Sequence, residues 1–494
     1  MTVMDCIRSC NESQVGCHMS MRTGLVMGIW CIVSGAIGFA EPGPASERET
    51  DPLVLTKLEW FQDMKFGLLM HWGTYSQWQI VESWSLCPED ENWCERRGEK
   101  SNDYFEYKKA YENLQTTFNP TKFDPGFWAT AAKEAGMRYV IFTTKHHDGF
   151  CMFDTKETDY KVTSKTCPFS TNPRANVAKE VFAAFRAQGL GVGAYFSKPD
   201  WHNPDYWWPY FPPFDRNVNY DVKKLPWKWE AFKTFTSNQI RELMTDYGKI
   251  DILWLDGGWV QPITAKSPRW GKNPSNQDID MPKIAAMARS LQPGLIIVDR
   301  AVEGRYQNYR TPEQEVPDTA LNYVWETCMP MATSWSYVST DTYKPTSKLI
   351  HLLVDIVAKG GNLLLNIGPS PEGELPPTAL ERLKQLGAWM KVNGSAIYSG
   401  RATAPYKEGK ICFTRLPNGS INAIYLADES ESRPPETITV GSFTPKSGSQ
   451  VKMLGVGESA KWEMATKGFV IHVPESARTN PPCDYAWTFN FVTE

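Results

Sequence analysis

Several apolar stretches of this sequence run straight into ionisable or aromatic residues. "LLMHWG" ends in His71 and Trp72, "TTKHHDGF" in Lys145, His146, His147 and Asp148, and "GAYFSKPDWH" in Tyr195, Trp201 and His202. "LWLDGGW" ends in Asp256 and Trp259, and "IIVDR" in Asp299 and Arg300. One polar strand end is ordinarily a cap or a salt bridge. A recurrence along one chain points to a shared site. Imidazoles beside carboxylates first suggest a metal, but a strand alternates its faces, so ligation from one face wants His-x-His, whereas His146 and His147 are adjacent. No metal is expected. No GxSxG elbow supports a serine nucleophile either. What remains is a pair of carboxylates in an aromatic, hydroxyl-binding pocket, the requirement for cleaving a glycosidic bond.

Groups at strand ends act together only if their strands lie in one sheet. Apolar runs at 66–72, 139–144, 191–197, 251–257, 295–299 and 362–368 read as strands buried on both faces, and 125–136, 176–189, 228–248 and 280–294 show helical periodicity. Doubly buried strands separated by single helices make a parallel sheet. Six clear strands and two weaker ones predict a TIM-like (β/α)8 barrel over 41–394, and the lack of GxGxxG after the first strand argues against an open dinucleotide-binding sheet. Barrel active sites lie at the carboxyl ends of the strands, where these polar residues fall. After a helix at 377–391 the pattern changes. Short alternating segments broken by Gly, Pro and Ser predict a C-terminal antiparallel β-sandwich over 395–494. Asn418-Gly419-Ser420 reads as a hairpin turn, and as a glycosylation sequon in a eukaryotic secretory pathway.

The 494 residues, 41% hydrophobic and 22% charged, suit one large domain and a smaller one. A net charge of −4 without a basic block argues against nucleic acid as partner. Aromatic residues make up 13%, and exposed aromatic faces are surfaces on which sugar rings stack. Arg22, an apolar stretch over 24–39 and small residues before Ala40 have the layout of a secretory signal cleaved after Ala40. Residues 1–40 are therefore set apart from the fold, with Met19 and Met21 as alternative starts. The stretch is shorter than the ~20 residues of a membrane span. No later segment is long and apolar enough for one. The expected destination is extracellular, periplasmic or lysosomal. Cys87 and Cys94 could close a small ring, the odd number of cysteines after residue 40 leaves a thiol unpaired within a monomer, and no CxxC suggests zinc.

In order along residues 60–395, "FGLLMHWGTYS", "TTKHHDGF", "GAYFSKPDW", "DILWLDGGW" and "GGNLLLNIGPSPEGELP" resemble the α-L-fucosidases of glycoside hydrolase family 29. The resemblance implies a somewhat irregular (β/α)8 barrel followed by a β-sandwich, and a retaining exo-enzyme, secreted or lysosomal, without metal or other cofactor. It implies Asp256 as the nucleophile, with Gly257 and Gly258 leaving room for a sugar. His71, His146 and His147 match ligands of fucose hydroxyls, Tyr195 a tyrosine beside the nucleophile, Arg300 the arginine after the next strand, and Trp335 an aromatic near the fucose methyl. Glu313 of "TPEQEVP" resembles the family's acid/base segment best; Glu315 is read as solvated and Glu326 as structural. Glu82 and Trp84 are taken as substrate contacts, although the family's Glu-Trp pair is adjacent and Ser83 separates them here. Arg300 and an imidazolium would hold Asp256 ionised, and drier surroundings would keep Glu313 protonated. The expected partner is a fucosylated glycan or glycoconjugate, and a homo-oligomer is compatible with this reading. Two others stand beside it: a related retaining glycosidase for galactosyl-type or modified sugars, and a carbohydrate-binding homologue without catalysis.

Overall fold

The computed structural model describes residues 49–87, 96, 98–264, 267, 269–272 and 274–493. The expected leader and Cys94 lie outside the described residues. Parallel strands β1 (Phe66–Met70), β2 (Tyr139–Lys145), β3 (Gly191–Ser197), β4 (Ile252–Asp256), β5 (Ile296–Asp299), β6 (Glu326–Pro330) and β7 (Asn362–Asn366) form one 7-stranded sheet, in the order β5-β4-β3-β2-β1-β7-β6. Every residue in them except Asp256 is buried, which is why the sequence shows unbroken apolar runs.

The expectation of eight strands is corrected to seven regular ones and an irregular stave. Residues 307–313 bridge the two edge strands: Val298 pairs with Gln307, Arg310 with Trp325 and Glu313 with Cys328. Pro312 in this stretch has no N–H to give a ladder, so pairing is intermittent. The barrel closes through it.

The helices are α1 (Pro52–Met64), α2 (Tyr104–Glu112), α3 (Pro125–Glu134), α4 (Val177–Ala187), α5 (Pro226–Asp246), α6 (Met281–Leu291), α7 (Thr346–Ala358) and α8 (Pro377–Ile397). The first three start on Asp51, Asp103 and Asp124, whose side chains accept from the N–H groups of Leu53, Glu106 and Phe127. α4 buries Val177, Ala178, Val181, Phe182 and Phe185, a stripe at helical spacing. Strand parity sorts the rest. Tyr139, Ile141, Tyr195, Ile252, Trp254, Val298 and Leu364 form one cluster inside the barrel with Val54, Leu58 and Phe61 of α1, whereas Val140, Phe142, Leu253 and Leu255 belong to the layer beneath the other helices.

Beyond α8, strands β8 (Arg401–Glu408), β9 (Ile411–Arg415), β10 (Ile421–Leu426), β11 (Thr437–Val440), β12 (Val451–Met453), β13 (Ser459–Met464), β14 (Phe469–His472) and β15 (Ala486–Phe491), with the short helix α9 (Glu475–Thr479), make an 8-stranded antiparallel sheet. Its order is β11-β14-β13-β12-β15-β10-β9-β8, folded over a core that includes Phe413, Phe469, Phe489 and Phe491. Asn418 Oδ1 accepts the Ser420 N–H at 3.0 Å in the β9–β10 hairpin turn. α8 runs to Ile397, beyond its expected end at 391, and β8, β13 and α9 were not legible, because β8 and β13 lack apolar alternation. The sheet rests on α7 and α8, where Trp389 Nε1 donates to the Ala486 carbonyl and His351 Nε2 meets that of Tyr485, each at 3.0 Å. Among the described residues no helix is long and apolar enough to cross a membrane.

Candidate active site

Strand parity decides which polar ends reach the lumen. Asp256 shares a strand face with Ile252 and Trp254, Arg300 continues the face of Ile296 and Val298, His71 that of Leu69, and Tyr195 lies on the inner face of β3. Asp299, one position off, instead pairs with buried Lys198. The inward ends open on a cavity of about 600 Å³.

Delivering two adjacent histidines takes a bend. The β2–β3 register slips between Thr143 and Lys145, and Lys145 turns to Asp200 at 3.0 Å. The Gly149 N–H donates to the His146 carbonyl at 3.1 Å, closing a turn in which Gly149 has φ 81°. A Cβ there would fall 2.2 Å from an Asp200 carboxylate oxygen, so conformation and space both require glycine. Both imidazoles then line the cavity.

Asp256 Oδ2 accepts the Tyr195 hydroxyl at 2.7 Å and Oδ1 accepts Arg300 Nη1 at 3.1 Å, with His147 Nε2 3.8 Å from Oδ2. Burial opposes the charge most strongly, but Arg300 together with His147, the Tyr195 hydroxyl and the Gly257 N–H outweighs it, and the carboxyl is held well below the usual range. Arg300 Nη2 donates to Glu313 Oε2, so one guanidinium grips both carboxylates. Glu313 stands on the irregular stave with its side chain 40% exposed. A third carboxyl, Glu82, accepts the Ser336 N–H at 2.8 Å, and burial, reinforced by the charges of Glu313 and Asp256, pushes it up to about 8.

The histidines are neutral. His71 Nδ1 lies 2.8 Å from Asn366 Oδ1, and the Asn366 Nδ2 donates to the Trp335 carbonyl, so Nδ1 carries the proton and Nε2 is left to accept. Burial pulls His71 down to about 4 and His147 to about 3, and holds His146 well below its ordinary value. The imidazolium expected beside Asp256 is therefore an imidazole, and Arg300 supplies the positive charge. His146 Nδ1 meets Ser83 Oγ at 2.5 Å, while His147 Nδ1 is buried without a partner among the described residues. Ring centroids of Trp84 and His147 are 5.2 Å apart, those of Trp335 and His71 5.3 Å. Donor atoms of His146, His147 and Asp256 lie within 4.8 Å of one another, and the Asp256 oxygen nearer His147, Oδ2, already accepts the Tyr195 hydroxyl.

A sequence model described as alpha-L-fucosidase matches residues 44–395, and one described as the alpha-L-fucosidase C-terminal domain matches 409–492. The chain belongs to the alpha-L-fucosidase family. The bovine tissue alpha-L-fucosidase is 27% identical over 458 residues, covering 88% of each chain. Alpha-L-fucosidase isoenzyme 1 of Paenibacillus thiaminolyticus superposes with a TM-score of 0.71 at 28% identity, over 90% of this chain and 100% of the other. A trapped covalent intermediate of an alpha-L-fucosidase from Bacteroides thetaiotaomicron with 2-fluoro-fucosyl fluoride gives 0.69 at 25% identity, over 91% and 98%.

In this member of the alpha-L-fucosidase family Asp256, Glu313, His71, His146, His147, Tyr195, Arg300, Trp335, Trp84 and Glu82 all line the cavity, as does Gly258, whereas Gly257 packs against Pro199. Glu315 does not, and neither does Glu326, which is fully buried beneath the floor and accepts from Tyr139 and, at 3.3 Å, from Trp254. Sequence reasoning missed Trp254, Arg216 and Trp270. Trp254 stacks on Tyr195 at 5.2 Å with Arg300 5.3 Å above it, and its position two residues before Asp256 on one strand was a usable signal. Arg216, over Trp84 at 4.8 Å, and Trp270 come from loops that carry no periodicity.

Proposed function

We propose that this chain hydrolyses terminal α-L-fucosyl residues from glycans with retention, through a covalent glycosyl-enzyme intermediate on Asp256. The observation that carries the reading is the single Arg300 guanidinium gripping Asp256 and Glu313 at the mouth of an imidazole- and tryptophan-lined cavity. Asp256, kept ionised, attacks the anomeric carbon, while Glu313 protonates the departing oxygen and later takes a proton from water. Retention needs the carboxyls about 5–5.5 Å apart, and a shared guanidinium favours that closeness over a gap wide enough for water. Neutral imidazoles offer both donors and acceptors to the fucose hydroxyls, and Trp335 offers the methyl an apolar face. The leader-like layout of residues 1–40 in the sequence supports a secretory or lysosomal route.

One observation favours a second assignment of the acid. Glu82 is the cavity carboxyl that burial keeps protonated near neutral pH. Leaving-group dependence separates the two. If Glu313 is the acid/base, Glu313→Ala loses far more rate on fucosylated oligosaccharides than on 4-nitrophenyl α-L-fucoside, and azide rescues it as an α-fucosyl azide. The same pattern in Glu82→Ala and not in Glu313→Ala reassigns the role. Wild-type failure on the aryl fucoside, or activity abolished by EDTA and restored by zinc or manganese, overturns the reading.

A further inference from the structure

A second pocket of about 200 Å³ lies between α2, which follows β1, and the loop over 198–225, which follows β3. Both segments leave the carboxyl ends of their strands, so the pocket opens on the same end of the barrel as the main cavity. Phe105, Trp208 and Phe211 supply its apolar walls, with Lys108, Glu112 and His202 along one side. Phe105 is 47% and Phe211 38% exposed, and neighbouring Tyr210 is 80% exposed. Large rings gathered in water on one patch mark a binding surface.

The lining selects the ligand. A pyranose has an apolar C–H face that lies against aromatic rings and an edge of hydroxyls that bond charged groups. The polar side provides such partners: His202 Nδ1 lies 2.7 Å from Glu112 Oε1, and Lys108 pairs with the same carboxylate. That pairing offsets the charge of Lys108, Lys109 also lines the pocket, and the volume suits one ring. A short chain of packed residues links the pocket to the main cavity. Trp207, in its lining, stacks on Trp201 at 4.8 Å and 2°, and the Trp201 N–H donates to the His147 carbonyl at 2.7 Å.

Resting on the fucosidase reading of the main cavity, we propose that this pocket is an accessory subsite for a pyranose residue of the same glycan. Engaging a second sugar makes fucose docking intramolecular and raises its effective concentration. The test is saturation-transfer NMR on the full chain, with L-fucose in excess in the main cavity and N-acetyllactosamine as probe, compared with Phe105→Ala/Phe211→Ala. Transfer to the probe in the wild type and its loss in the variant are expected, with kcat/KM on a fucosylated oligosaccharide falling about 5-fold through KM while 4-nitrophenyl α-L-fucoside stays within about twofold. No transfer, undiminished transfer in the variant, or equal loss on both substrates overturns the proposal. Failure of the wild type on the aryl fucoside would overturn the fucosidase reading instead, and the NMR comparison would still decide the pocket.

Discussion

Asp256 receives a hydroxyl on one oxygen and a guanidinium on the other, so truncating it removes the proposed attacking group and leaves Tyr195 and Arg300 facing a gap. Asp256→Ala is expected to lose at least about 10³-fold in kcat/KM on an aryl fucoside, about 4 kcal/mol of barrier. Azide entering from the vacated side would give the inverted β-fucosyl azide. A retained product, or a rate near wild type, removes Asp256 from the role. Glu82 makes a separate claim about pH. The unfolded chain releases this proton near the ordinary 4.5 and the folded chain holds it to about 8, so the stability Glu82 contributes is complete below the lower value and lost as pH rises through the higher. Glu82→Gln cannot ionise, so its melting temperature relative to wild type should rise between about pH 5 and about pH 8. A difference independent of pH would show that Glu82 does not enter the fold neutral.

β5 illustrates how an element sorts chemistry from support. Its period of two sends Arg300 to Asp256 and Glu313 and sends Asp299 to Lys198 on the opposite face, where both partners are almost completely buried. Lys198→Met leaves the Asp299 carboxylate buried and unpaired, and should lower the unfolding free energy by ~3–5 kcal/mol. Adding Asp299→Leu should recover much of that loss. Urea unfolding of the three proteins checks it, and a double variant no more stable than the single one would mean the pair matters for more than its charges. The irregular stave over 307–313 does the opposite of β5: by pairing only intermittently it leaves Glu313 half free of the sheet and in reach of Arg300.

In the molecule as a whole, the C-terminal sheet covers α7 and α8, burying Trp389 almost completely. A chain ending at Gly400 would expose those helix faces, and is expected to aggregate or lose its cooperative melting transition. A soluble, active barrel without the sheet, seen by size exclusion and aryl fucoside turnover, would contradict this.

How much was legible follows from what sequence patterns report. Runs buried on both faces announced the parallel strands, and their abrupt polar ends announced Asp256, Arg300 and the three histidines, because local periodicity reflects burial directly. The bend at Thr143–Lys145, the incomplete eighth stave and the wall contributed by Arg216 and Trp270 have no periodic signature. Nor does charge state: Glu82 stays neutral because chain closure shuts it away from water, although the N–H of Ser336, 254 residues away, favours the charged form. The residues of the site were written along the chain, but only the closed barrel decided which of them touch, and therefore which carry a charge.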